Sequence, residues 1–202
     1  MENMYLIAGL GNPGAEYAET RHNVGFMALE QFAGRLGASW QLQDRFQSRL
    51  ARAELEDRKL LLSQPQTFMN ASGTAVRAVV DFFKVPVSKL LVVVDDADLP
   101  LGEIRMRTRG STGGHHGLES VEQHLATRGY ARLRIGIGRR ADGTREITDH
   151  VLGRFLREEA KVLGIVLERA VLQMQCWVTA GAQKAMNDFN GAVEAPSVKE
   201  SK

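Results

Sequence analysis

The sequence predicts a single α/β domain: one twisted mixed, mostly parallel sheet with helices on both faces and a long C-terminal helix. Two observations carry that expectation. Apolar runs of strand length (MYLIAG at 4–9, Leu90–Val94, ARLRIGIG at 131–138) alternate with segments whose apolar residues recur at helical spacing. The 202 residues show no repeat and no second-domain boundary, and a chain of that length buries roughly 70% of its unfolded surface, enough to stand without staples.

In chain order, the opening strand runs into the turn signals Asn12-Pro13 and Pro13-Gly14. Asn23–Leu36 then sets Val24, Met27, Ala28, Leu29, Phe32 and Leu36 at helical spacing, and Gly37 supplies a stop. Phe46–Leu55 alternates, and Arg58–Gln64 follows across a short polar turn, which makes the two an antiparallel hairpin. Asn70 is placed to cap a helix over Ala71–Phe83, with Ala75, Val76, Val79, Val80 and Phe83 facing the core. Leu90–Val94 ends in Asp95-Asp96 and has the pattern of a strand buried on both faces. Gly102–Thr108 reads as a short edge strand with Arg105 and Arg107 on one face. Arg109–Gly117 reads as an irregular glycine-rich loop, and Leu118–Leu125 as a helix. Arg157–Phe189 reads as one long helix, bent at Gly164 or Gly181. Residues 1–190 form the domain, and 191–202, which carry no pattern, are expected to be a disordered tail.

Composition narrows the class. The lone Cys176 excludes an internal disulfide and fits a reducing compartment; its apolar surroundings make it a small core hydrophobe. No apolar run reaches the length of a membrane span, and MENMYLIAGLG lacks a basic n-region and a small-residue cleavage site, so a soluble cytoplasmic protein is expected. The net charge of +2 is unevenly placed. Residues 102–157 carry 11 Lys+Arg against 6 Asp+Glu, and all eleven cations are arginine. The guanidinium fork binds phosphate bidentately, so this segment is a candidate nucleic-acid footprint; the plainer reading is solvated surface charge.

Gly9-Leu10-Gly11-Asn12-Pro13-Gly14 formally satisfies G-x-G-x-x-G after a strand. Context argues against a dinucleotide cradle: Pro13-Gly14 forces a turn before any helix, and the second strand ends in Gln64-Pro65 where an acidic residue is required. The spaced glycines are read instead as shaping a turn that presents Asn12 and Tyr17. His22 follows, and Asp95 arrives at the same carboxyl edge of the sheet. A carboxylate beside an imidazole orients it and raises its basicity; with no nucleophile elbow and no reactive cysteine, the pair suggests a general base acting on water. Asn12 and Asn70 could steady an oxyanion or a substrate carbonyl. Phe68 and Met69 read as an exposed apolar pair beside the site, with burial in the core as the plainer alternative, while Asp96 and Asp98 read as turn formers before Pro100. His115 and His116 could bind a metal, but no carboxylate or cysteine sits at ligand spacing, so none is assigned. His124 and His150 are read as structural or surface residues.

GLGNPGAEYAETRHNVGF, QPQTFMNASG, VVDDADLPLG, the GGHHGL loop and RLRIGIGR, in that order and followed by DHVLGRF, resemble bacterial-type peptidyl-tRNA hydrolases over nearly all of the folded chain. The resemblance implies a monomeric α/β esterase, free of metal and cofactor, that cleaves a stalled peptide from the 3′ end of tRNA. It implies His22 as the base and Asp95 as its partner, with Asn12 near the scissile ester and Asn70 on the peptide backbone. Tyr17 bounds the crevice near the tRNA end, Phe68 and Met69 line its peptide side, and Arg105, Arg107 and Arg134 meet tRNA phosphates. Arginine stands at the first two of these where the family often has lysine. One departure matters: the family's loop usually reads GGHNG, and here His116 stands in place of an Asn that contacts substrate. A neutral imidazole keeps one donor and one acceptor, so activity with a pH profile dependent on His116 is expected. The competing readings are a non-catalytic RNA-binding protein of the same fold and a nucleotide-binding module resting on the glycine motif alone.

Overall fold

The continuous apolar runs become the middle of a sheet. The computed structural model describes residues 4–139 and 147–193. Its strands are β1 (Met4–Gly9), β2 (Trp40–Gln43), β3 (Ser48–Leu55), β4 (Arg58–Pro65), β5 (Leu90–Asp96), β6 (Glu103–Arg107), β7 (Ala131–Gly136) and β8 (Gly191–Ala192), in the order β2-β3-β4-β1-β5-β7-β6-β8. The pairings β4·β1, β1·β5 and β5·β7 are parallel, and every pairing outside them is antiparallel. The mostly parallel expectation therefore holds for the centre and not for the flanks, where β2, β3 and β4 are joined by short turns and β6 reaches its antiparallel partner β7 through a longer helical connection.

Alternation along the central strands feeds two cores. Ile7, Leu91 and Val93 face α1 (Val24–Arg35) and α5 (Ala160–Ala180), whereas Leu6, Val92 and Val94 face α2 (Ser72–Phe83) and α3 (His116–Leu125). On the first face, helix and sheet touch backbone to backbone. A Cβ on Gly9 would lie 2.4 Å from the Gly25 carbonyl oxygen, and one on Gly25 would lie 2.5 Å from that of Val93. Gly9 and Gly11 are thus close-approach glycines and not turn formers; of the glycines in that motif only Gly14, at φ 113°, needs a left-handed backbone. The consequence is positional: α1 sits hard on β1 and β5, so the turn before it is delivered to their carboxyl ends.

Several boundaries differ from expectation. β2, with the polar sequence WQLQ, has too little apolar pattern to be read from sequence. α2 starts at Ser72 behind Ala71, so Asn70 caps nothing; it lies exposed in a 3-10 turn over Met69–Ala71. β6 is not the last strand, because Gly191–Ala192 pairs with Glu103–Ile104. Residues 191–193 of the expected tail are therefore part of the fold, and residues 194–202 lie outside the described residues, as do Arg140 and Arg145 of the arginine-rich segment. The predicted C-terminal helix breaks at Gly181 (φ 89°), giving α5 and α6 (Ala182–Phe189); Gly164 stays helical. Between them and β8, Asn190 acts as a side-chain strand: its Oδ1 accepts the Met106 N–H at 2.7 Å and its Nδ2 donates to the Met106 carbonyl at 3.2 Å. Residues Arg157–Ala180 are long and apolar enough to cross a membrane by length and composition, contrary to the expectation that no such run exists. Here they bury Val166, Ala170, Met174 and Trp177 against the sheet, while Glu168 pairs with Arg35 and accepts from Gln31 on α1. Cys176 is partly buried beside that core.

Candidate active site

Alternation along β5 puts Asp95 on the face that α1 covers, and the 3-10 turn Arg21–Asn23 at the start of α1 brings His22 to it. His22 Nδ1 lies 2.8 Å from Asp95 Oδ1. A carboxylate oxygen only accepts, so Nδ1 carries the hydrogen and Nε2 holds the free lone pair. Asp95 is 2% exposed. Burial pushes its carboxyl up, but His115 and then His22 outweigh that and hold it well below the ordinary carboxylate range. The group therefore stays ionised at neutral pH.

Asn12 is fixed from three sides. Its backbone N–H donates to Asn23 Oδ1 (2.9 Å), its carbonyl accepts from Asn23 Nδ2 (2.9 Å), and its own Oδ1 accepts the Met69 N–H at 2.8 Å. The last bond settles the amide orientation, because only oxygen can face a backbone donor. What Asn12 has left to offer a ligand is Nδ2, a donor. Asn23, 1% exposed, is a residue that sequence reasoning missed. The signal available was its place beside His22 in the chain.

Asn12, His22, Asn70 and His116 share a crevice of about 320 Å³ with Phe68, Met69 and one wall from α4 (Ile147–Val151) and Leu152. The exposed apolar pair divides: Phe68 is 60% exposed, whereas Met69 is buried in the core of the second face. Tyr17 stands at the rim, its ring edge-on to Phe68 with centroids 6.4 Å apart. Arg21 is turned to the segment after α4. It donates to the Arg154 carbonyl and sits 2.6 Å from Glu159 Oε2, while its N–H donates to Gly153 at 2.9 Å; this ties the crevice wall to the turn that carries His22.

The adjacent histidines separate. His116 is exposed and its Nδ1 meets Glu119 Oε2 at 3.0 Å. His115 is half-buried, with Nε2 3.0 Å from Asp95 Oδ1 and Nδ1 accepting from the backbone of Gly117 and Leu118, which caps α3. Sequence reasoning placed the start of that helix at Leu118 and so gave His115 no task. The carboxylate that no sequence spacing offered to the histidines comes from β5: ligand-type atoms of His22, Asp95 and His115 lie within 4.8 Å of one another. Asp96 behaves as a turn former, its Oδ1 accepting the Asp98 N–H at 2.8 Å, and Asp98 pairs with Arg139. His124 bridges the Ser120 carbonyl and Thr74, and His150 meets the Gly138 carbonyl at 2.6 Å; both are structural.

The arginines also divide. Arg105 is about half-exposed and bonded to Glu103, and Arg107 is exposed with its guanidinium on the neighbouring Met106 carbonyl. Arg134 faces inward instead, bonded to Asp96 (3.1 Å) and to the carbonyls of Ser111 (2.8 Å) and Thr112 (3.0 Å).

The family model for peptidyl-tRNA hydrolase matches residues 6–198. The chain belongs to the peptidyl-tRNA hydrolase family. A curated peptidyl-tRNA hydrolase of Synechococcus sp. (strain CC9311) is 47% identical over 202 residues, 98% of each chain. That of Caldanaerobacter subterraneus subsp. tengcongensis is 45% identical over 188 residues, covering 93% of this chain and all of its own. The crystal structure of peptidyl-tRNA hydrolase from Acinetobacter baumannii superimposes with a TM-score of 0.89 at 35% identity, over 96% of this chain and 98% of that one. The single-domain mixed-sheet fold read from sequence is that of the peptidyl-tRNA hydrolase family.

Proposed function

We propose that this chain hydrolyses the ester between peptide and tRNA, releasing tRNA for reuse in translation, as a cytoplasmic monomer that needs no metal or cofactor. Family membership supports the reaction and its substrate class. The observation that carries the mechanism is the bond from His22 Nδ1 to the buried Asp95 carboxylate, which leaves Nε2 as a free base beside the crevice. His22 Nε2 takes a proton from water, the hydroxide attacks the ester carbonyl, and the imidazolium returns the proton to the departing ribose oxygen. Asp95 stays a carboxylate throughout. Asn12 Nδ2 meets the developing oxyanion, Asn70 contacts the peptide backbone, and Phe68 with Met69 bounds the peptide side while Tyr17 bounds the tRNA end. His116 takes the position of the substrate-contacting Asn. What supports leaving a metal out is that three of the four ring nitrogens of His22 and His115 are already hydrogen-bonded, His22 Nδ1 and His115 Nε2 to Asp95 and His115 Nδ1 to two amides, which leaves only His22 Nε2 free.

Arg105 and Arg107, exposed on β6, meet phosphates. Arg134 serves by holding the 111–112 loop over Asp96.

The test offers N-acetyl-aminoacyl-tRNA and an unblocked aminoacyl-tRNA to wild type and His22→Ala. Release from the blocked substrate alone, falling at least about a thousandfold in the variant, is expected for loss of the base. Tight tRNA binding without release by wild type would instead favour a non-catalytic RNA-binding protein.

A further inference from the structure

His115 is the most heavily bonded ring in the crevice, and the mechanism above leaves it without a role. Its Nδ1 accepts from the backbone N–H groups of Gly117 (3.1 Å) and Leu118 (3.3 Å). A nitrogen that accepts two donors carries no hydrogen, and a charge there would also oppose the positive end of α3. The ring hydrogen is therefore on Nε2. That N–H faces Asp95 Oδ1 at 3.0 Å, the same oxygen that takes the His22 Nδ1–H at 2.8 Å. The approach is built into the backbone. Gly113 (φ 61°) and Gly114 (φ 75°) turn the loop through left-handed conformations, and a Cβ on Gly117 would lie 2.9 Å from His115 Cε1.

We propose that His115 is a positioning residue for the hydrolysis: the first turn of α3 fixes its Nε2–H tautomer, and by sharing Asp95 Oδ1 this donor aims the carboxylate and weakens its hold on the His22 proton. A carboxylate oxygen serving two donors stabilises an imidazolium less than one serving a single donor, so His22 remains the unprotonated base to lower pH. The proposal rests on the reading of His22 as base.

The other charges around the pair are accounted for. Asp96, the last residue of β5, is held by Arg134 from β7, and Asp98, on the loop that follows, by Arg139. Arg21, on the turn with His22, is paired with Glu159. On α3, His116 is bonded to Glu119. On α4, His150 donates to a backbone carbonyl, and Asp149 lies beside it in the chain. Among the described residues, only the two histidines bond the Asp95 side chain. Asp95 itself is ionised over the whole range concerned, so the acid limb of the rate is not its own titration.

His115→Asn separates the two tasks, since an amide oxygen still caps α3 but the shorter side chain does not reach Asp95. With N-acetyl-aminoacyl-tRNA, the acid limb of kcat/KM should move to higher pH by about one unit, a loss of about tenfold on that limb, with much less change on the plateau. Superimposable profiles from an active wild type would overturn the role of His115 and leave the proposed activity standing. An independent readout needs no variant: long-range ¹H–¹⁵N spectra of the wild-type imidazoles should show His115 protonated on Nε2 alone from pH 5 to 8. A His115 proton on Nδ1, or titration in that interval, would equally overturn it. Wild type that shows the expected spectrum yet releases no peptide or blocked amino acid would overturn the functional reading, and with it any part for His115 in hydrolysis.

Discussion

β6 and β7 lie side by side with arginine opposite arginine, Arg105 against Arg134 and Arg107 against Arg132, and the two strands use the same residue in opposite ways. On β6 the side chains reach solvent. On β7 they are structural: Arg132, 1% exposed, bonds Glu122 Oε1 (3.0 Å) and the carbonyls of Gly110 (2.8 Å) and Arg128 (3.0 Å), with its guanidinium over the Tyr130 ring. Charge counted along a sequence therefore overstates the surface available to phosphate, because a central strand turns its cations into fasteners for the loops around it. The same division separates His115, wired to Asp95 and α3, from His116, exposed one residue later.

The largest effect is expected from β7. Arg132→Met leaves Glu122 largely buried with only Arg128 as partner and removes the contacts to the carbonyls of Gly110, Ser111 and Arg128, so urea unfolding should show a loss of about 3–5 kcal/mol. A loss under about 1 kcal/mol would mean that buried and exposed arginines are equivalent here. On β6, replacing Arg105 and Arg107 together by Gln should leave stability within about 0.5 kcal/mol. It should weaken tRNA binding, lower the slope of log affinity against log salt by about 2, and spare hydrolysis of a minimal ester. An unchanged slope would make both residues ordinary surface charge. The smallest effect concerns the second pair. His116→Asn should keep activity and lose only that part of the acid limb that arises from a charged imidazole in the crevice, so pH–rate curves that coincide with wild type would remove His116 from the pH response.

These contrasts mark where sequence reading stops. Leu90–Val94 and MYLIAG announced the central strands because burial on both faces leaves an unbroken apolar run. The strand ends also placed Asn12, His22 and Asp95 at one edge of the sheet. His115 and Asn23 were not legible, because each acts through bonds to backbone or to residues far along the chain, and neither leaves a periodic trace. Met69 looked exposed beside Phe68, since a 3-10 turn rotates one residue into the core and its neighbour out. Arg132 and Arg134 stand on alternate positions of β7, a strand read as apolar and buried, and nothing in the sequence showed their partners; the Gly110–Thr112 loop and Glu122 on α3 supply them.

The side-chain strand made by Asn190 has a consequence for association. Its amide occupies the Met106 N–H and carbonyl, β8 occupies Glu103–Ile104, and Val193 donates to the Gly102 carbonyl at 2.7 Å, so the outer rim of β6 has little free backbone to offer another chain. Strand addition by a second copy or an extended peptide is blocked there. A ligand arriving at this rim meets arginine side chains and not a hydrogen-bonding ladder, which favours a polyanion over a polypeptide.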